Sequence, residues 1–249
     1  MIDCTAIEFA GLAVEFRSEE PAALELVEQA ASISPAVAPV SGVREPSLRV
    51  DLSLGSAPCF QPRGRKQAAA ESPPDGLGFI PVLRAAMCQA LAPDGALLHA
   101  AGASIDGAGF LLVAPSGGGK TTISRLLSQD AVLLGDETIC VRPDSARPGR
   151  YAIYGTCFWS GPAYPSRAGA VPLAAVCFLR KGGFSLTPLS RPQALRELLG
   201  QLHLPVGASP EYALEFAHRL LSATPAFELS FTLDSEPASL LRAQLRKAA

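Results

Sequence analysis

The stretch that most constrains this chain is "APSGGGKTT", residues 114–122, set between the apolar run "FLLV" and the amphipathic run "TTISRLLS". Consecutive glycines at Gly117, Gly118 and Gly119 let several backbone N–H groups approach one anion, which side chains would block. A helix starting here adds its positive end, Lys120 a mobile point charge for phosphates, and Thr121 a hydroxyl for Mg²⁺. The stretch fits a Walker A loop, with Ala114 where the first glycine usually stands, and the motif requires a strand before it and a helix after it. Ser116, Gly117, Gly118, Gly119, Lys120, Thr121 and Thr122 are therefore the expected nucleotide contacts in an α/β fold.

Downstream, "AVLLGDETICV" is an apolar strand ending in adjacent carboxylates, Asp136 and Glu137. Acids at the carboxyl end of a strand beside a phosphate loop are placed for a metal ligand or a base, although a solvent-capped strand end looks the same. Adjacent residues of an extended chain point to opposite sides, so both serve one site only if the strand kinks. His99 stands in an apolar strand ahead of the loop. A hairpin turning at Gly107 and Ala108 sets it opposite about Ser116, where it can hydrogen-bond a carboxylate; the alternative is a satisfied core histidine.

With 249 residues, 48% hydrophobic and 18% charged, the chain can bury at least one full core. No apolar run reaches the roughly eighteen residues of a membrane span, and "MIDCTAIEFAGLAVEF" lacks the basic start and cleavage site of a signal peptide, so a cytoplasmic protein without a membrane partner is expected. A net charge of -2 gives no reason to expect nucleic acid, and the basic cluster Arg63, Gly64, Arg65, Lys66 reads as a solvated loop. Cys4, Cys59, Cys88, Cys140, Cys157 and Cys177 form no C-x-x-C pair and read mostly as buried free thiols.

A strand pair is expected over Thr5 to Arg17, turned near Gly11, then a helix over "EEPAALELVEQAA" led by Ser18, with "PAVAPVSGVREP" breaking it. A strand follows at Leu48 to Leu54. The Pro- and Gly-rich stretch from Gly55 to Gly76 reads as an exposed connection, which divides a small N-terminal α+β module, 1–75, from a larger unit, 76–249. "GFIPVLRAAMCQALA" reads as a helix packed between the halves. Strands are expected at Ala96 to Ile105, Phe110 to Ala114 and Ala131 to Gly135, the last continuing past a kink through Thr138 to Arg142. "YAIYGTCFW" follows a turn, and Leu173 to Leu179 is a further strand. Helices at Thr121 to Ser128, Gln193 to Leu199, Glu211 to Leu221 and from Glu236, with a strand at Ala226 to Leu233, complete the expectation.

His99, "DGAG", "APSGGGKTT" and "LLGDET" together resemble the catalytic core of bacterial HPr kinase/phosphorylase, whose P-loop kinase fold is similar to that of phosphoenolpyruvate carboxykinase. "YGTCFWSG", "VPLAAVCFLRKG" and "AFELSFTLDSEPASLL" resemble the smaller HPr-kinase-like proteins, some associated with peptide-tailoring clusters. The resemblance spans roughly residues 95 to 249. It implies ATP and Mg²⁺ as cofactors, phosphates and metal held by Lys120 and Thr121, Asp136 as general base partnered by His99, and Glu137 as metal ligand. It also implies a homo-oligomer. Where the family carries a further metal-binding glutamate the nearest residue here is Ala152, which points away from a second metal, and the signature loop used for phosphorolysis has no counterpart, which points away from reversible control of HPr.

The function expected is Mg-ATP-dependent phosphoryl transfer to a hydroxyl, a serine of a protein or peptide, by an HPr-kinase-like serine kinase. A tailored precursor peptide or a small hydroxylated molecule fits as well as HPr. The alternatives are a P-loop ATPase and a degenerate nucleotide- or peptide-binding protein without transfer. Trp159 and Tyr164 suit either an acceptor groove or loop packing. His203 and His218 read as structural or surface residues, and Arg180 and Lys181 as exposed loop charges, although a basic residue reaching a γ-phosphate has to come from some such loop.

Overall fold

Alternating apolar residues near the N-terminus pair as the pattern dictates. In a computed structural model of the chain, residues 2–32, 37–40, 46–51, 59–62, 68–69, 79–158, 169–205 and 207–248 are described. Strands β1 (Asp3–Phe9) and β2 (Leu12–Ser18) form an antiparallel hairpin in which Phe9 faces Leu12. Its turn residues Ala10 and Gly11 have φ of 49° and 72°, the left-handed pair that a tight right-twisted hairpin requires. The Ser18 hydroxyl accepts the Glu20 N–H at 3.0 Å just ahead of α1 (Pro21–Ser32).

The stretch expected only to break that helix contains β3 (Val37–Val40), antiparallel to β1. Pro39 is tolerated there because β3 is an edge strand, free of a full ladder. Strand β4 (Leu48–Asp51) lies parallel to β2, and the connection expected from Gly55 to Gly76 includes β5 (Cys59–Pro62) and β6 (Ala68–Ala69). These extend the sheet in the order β3-β1-β2-β4-β5-β6. The strands are too short for alternation to mark them in sequence. Helix α2 (Phe79–Leu91) carries Pro81 in its first turn, where no intrahelical N–H is needed.

The larger sheet begins with a hairpin of β8 (Ala100–Ile105) and β9 (Ala108–Val113), preceded by β7 (Ala96–Leu98). The turn falls at Asp106 and Gly107, φ 52° and 81°, with Ile105 facing Ala108 and Ala100 facing Val113. That is one residue earlier than the turn expected at Gly107 and Ala108, and it draws His99 level with Ala114 rather than Ser116. Helix α3 (Lys120–Leu127) follows β9, then β10 (Val132–Gly135), β11 (Ile139–Pro143), β12 (Tyr151–Tyr154), β13 (Val171–Lys181) and β14 (Ser185–Pro188). Helix α4 (Arg191–Leu199), β15 (Leu202–His203), α5 (Pro210–Ala223), β16 (Ala226–Phe231) and α6 (Pro237–Ala248) complete the chain.

The result is a mixed α/β architecture with, among the described residues, six helices and a ten-stranded sheet ordered β10-β8-β9-β13-β12-β11-β7-β15, to which β16 attaches through β13 and β14 through β16. Two single-strand expectations fail here. Ala96 to Ile105 is broken at His99, and Thr138 to Arg142 does not extend β10 along the same partner. Instead β10 pairs with β8 while β11 pairs with β7. Leu98 faces Ile139 and Gly102 faces Gly135, with three residues between on each strand, so register is kept across the opening, and a bulge between Leu133 and Gly135 immediately precedes it. The opening leaves His99 on one side and Asp136, Glu137 and Thr138 on the other without ladder pairing.

Three apolar cores hold this arrangement. One packs α1 and α2 on the N-terminal sheet and includes Leu97, Cys140, Cys157 and Phe158 from the later part of the chain. The second lies between the large sheet and α4 and α5, and the third between that sheet and α3 and α6. Cys88, Cys140, Cys157 and Cys177 are buried free thiols in these cores, while Cys4 is exposed. Among the described residues no helix is long and apolar enough to cross a membrane.

Candidate functional site

Strand β9 ends at Val113 and α3 starts at Lys120, so residues 114–119 make the turn between them. The Gly118 N–H donates to the Pro115 carbonyl at 2.9 Å, and Gly117 and Gly119 have φ of 72° and 106°, a conformation L side chains rarely adopt. A Cβ on Gly118 would lie 2.7 Å from the Ala114 Cβ and 2.9 Å from the Pro115 carbonyl oxygen; on Gly119 it would meet the Phe231 ring at 2.9 Å. Glycine is thus required at Gly118 by close packing and at Gly119 by both packing and backbone freedom. Gly119 is the N-cap of α3 and offers no side-chain acceptor, so no side chain caps the positive end of the helix, the end that favours an anion. Ser116 and Gly117 are exposed, and Thr121 and Thr122 half-buried on the first turn of the helix.

Lys120 folds back under this turn. Its Nζ donates to the carbonyls of Ala114 at 2.8 Å and Pro115 at 3.2 Å and lies 2.7 Å from His99 Nε2, leaving the residue 6% exposed. An ammonium only donates, so Nε2 accepts and the imidazole proton resides on Nδ1, which donates to the Glu137 carbonyl at 3.1 Å. The Glu137 carboxylate is 3.4 Å from the same Nδ1. Burial lowers the Lys120 pKa, and the carboxylates of Glu137 and then Asp136 offset part of that shift.

The structure therefore brings Lys120, His99 and Glu137 into one chain of contacts, with Asp136 beside them, 4% exposed. The partnership expected between His99 and Asp136 is replaced by one with Glu137 and Lys120, which take both ring nitrogens. The cause is the strand opening, which turns the Glu137 backbone toward the imidazole. Ala152 is 1% exposed on β12 and brings no charge to the site.

Sequence reasoning did not single out Thr138 and Thr156. The Thr156 hydroxyl donates to the Thr138 carbonyl at 2.6 Å and accepts the Phe158 N–H at 3.3 Å, tying the segment after β12 to the acidic opening. Thr138 Oγ1 is itself buried with no partner among the described residues. Nothing in the sequence marked the pair beyond two threonines in apolar surroundings. His203, read as structural, lies with its ring centroid 6.5 Å from that of His99, edge to face, and Arg84 stacks over Phe158 at 4.9 Å. His218 is exposed on α5. Trp159, Tyr164 and the cluster Arg63 to Lys66 lie outside the described residues.

The donors gathered around the turn are hydroxyl and carboxylate oxygens, the hard set that Mg²⁺ prefers. Among the described residues no three His, Cys, Asp or Glu side chains converge to hold a metal unaided. Such a donor set fits a Mg²⁺ held by one or two carboxylates together with phosphate oxygens.

No family model and no curated protein matches this chain. Among solved structures it is similar to the Hpr(Ser) kinase/phosphatase from Coxiella burnetii, with 10% identity over 61% of this chain and 97% of that one, at a TM-score of 0.37. A superposition that loose defines no residue correspondences.

Proposed function

We propose that the chain is a Mg-ATP-dependent kinase that transfers the γ-phosphate to a hydroxyl, a serine of a protein or peptide. The observation that carries this reading is the run of contacts from Lys120 through His99 to Glu137, set at the mouth of a glycine turn whose helix N-terminus has no side-chain cap. Phosphoryl transfer asks the protein chiefly for positioning and charge placement. The backbone N–H groups of Gly117, Gly119 and Lys120 would cradle the phosphate chain, and Lys120 would leave the carbonyls of Ala114 and Pro115 to meet it. Thr121 and Glu137 would hold Mg²⁺, which when bound offsets phosphate charge and orients the transferred group. Asp136 would receive the acceptor hydroxyl's proton as the new oxygen–phosphorus bond forms and the bond to the leaving diphosphate breaks. His99 would hold Glu137 in place through Nδ1, a positioning role.

Calorimetry with Mg-ATP on the wild type and Lys120→Ala, followed by tracing the γ-phosphate, tests this. The wild type is expected to bind and the variant to lose about tenfold or more in affinity, the scale of a charge-assisted contact. Asp136→Asn is expected to keep binding and lose transfer. Hydrolysis that no hydroxyl acceptor alters would instead make the chain an ATPase, and absence of binding by the wild type would remove the nucleotide reading.

A further inference from the structure

With a Mg²⁺ set against the carboxylates Asp136 and Glu137, Lys120 is left as the single cation of the site for a ligand as anionic as a nucleoside triphosphate. The topology supplies another cation. Strands β9, β13 and β16 run parallel, β13 between the others, so all three end on the edge of the sheet where the glycine turn stands. Phe178 faces Val113, the last residue of β9, and Lys181 faces Phe231, the last of β16. The Phe231 ring packs on Gly119, so the turn that leaves β9 also touches the last residue of β16, two strands away. The end of β13 is bracketed by the loop's two anchorages.

Alternation along β13 separates the two basic residues there. Ala175, Cys177 and Leu179 face the core beneath α3 and α6, while Val176 and Phe178 face the core beneath α4 and α5. Arg180 follows the second set: its guanidinium is held by Glu197 of α4 at 2.5 Å and by Glu228 at 3.0 Å. Lys181 follows the first set, beside Phe231 and on the face that carries α3. It is exposed and forms no ion pair among the described residues.

We infer that Lys181 is a second phosphate-contacting residue, closing on the terminal phosphate of a bound nucleoside triphosphate from the β13 side while Lys120 holds it from beneath the turn. This rests on the kinase reading above and assigns Lys181 a role that Arg180, neutralised on the opposite face, cannot take. A flexible exposed lysine loses its freedom only when the phosphate is present, which suits a contact made with the γ-phosphate alone.

The test is calorimetry of Mg-ATP and Mg-ADP binding to the full chain as wild type, Lys181→Gln, Lys181→Arg and Arg180→Gln. Lys181→Gln is expected to weaken ATP about tenfold while changing ADP less than about twofold, with Lys181→Arg restoring most of the difference. A thermal melt of each variant shows whether its fold is retained, and the ATP-to-ADP ratio is insensitive to a general loss of folded protein. Equal weakening of both nucleotides, or none, would overturn the assignment of Lys181 while leaving the nucleotide site standing. Failure of the wild type to bind either nucleotide would overturn both. A loss of ATP selectivity in Arg180→Gln with none in Lys181→Gln would show that the facing assignment is reversed.

Discussion

His203 is held in a setting that disfavours its charge. Burial, the nearby Arg84 guanidinium and His99 lower its pKa from 6.5 to about 4, and its Nε2 is buried with no partner among the described residues. Because the folded pKa lies below the unfolded one, the unfolded chain binds more protons between these values. The resulting stability is present above pH 6.5 and is lost as pH falls through about 4. Between pH 7 and pH 4 the wild type should lose on the order of 1 to 2 kcal/mol more than His203→Phe, allowing for partial solvent screening. Denaturant melts of the two proteins across that interval measure the difference, and parallel curves would refute the burial argument. Nothing around His203 in sequence announced this, since Arg84 and His99 reach it from other elements.

The turn from β9 to α3 makes its demands through packing as well as dihedrals. Gly118→Ala places a methyl against the Ala114 Cβ and the Pro115 carbonyl, neither of which is the free end of a flexible side chain. It should cost about 1 to 3 kcal/mol of stability and weaken Mg-ATP about tenfold, read by thermal melts and calorimetry. That strand, turn and helix were legible in sequence because all three are local: an apolar run, glycines, then helical spacing. The hairpin before it was legible to within a residue from Asp106 and Gly107. The break at His99 was not, because Leu97, Leu98, Ala100 and Ala101 read as one apolar strand. It arises where the partner strand opens at Asp136 to Thr138, about forty residues away, and sequence spacing carries no record of that pairing. Short edge strands such as β3 and β6 were missed for a different reason, having too few residues to show a period.

Across the molecule, α2 joins what sequence divided. Its Leu83, Ala86, Met87 and Leu91 share one core with Phe9, Phe16 and Val50 of the N-terminal sheet and with Leu97, Cys140 and Phe158 beside the site. Met87→Ala should therefore cost about 2 to 5 kcal/mol and shift the unfolding of both sheets together, seen as coincident transitions by far-ultraviolet circular dichroism and by amide exchange at β1 and β11. Separate transitions would mean that this shared core does not couple them. The sequence by itself determined the chemistry available: a glycine turn preceding Lys120 and Thr121, adjacent acids at Asp136 and Glu137, and a histidine in an apolar run. Tertiary structure alone decided that His99 meets Glu137 and Lys120 instead of Asp136, and that Arg180 pairs with Glu197 and Glu228 while Lys181 forms no ion pair among the described residues. The physical reason is that turns and helix starts follow from neighbouring residues, whereas strand register follows from which faces bury against which helices, a choice made by residues far apart in the chain.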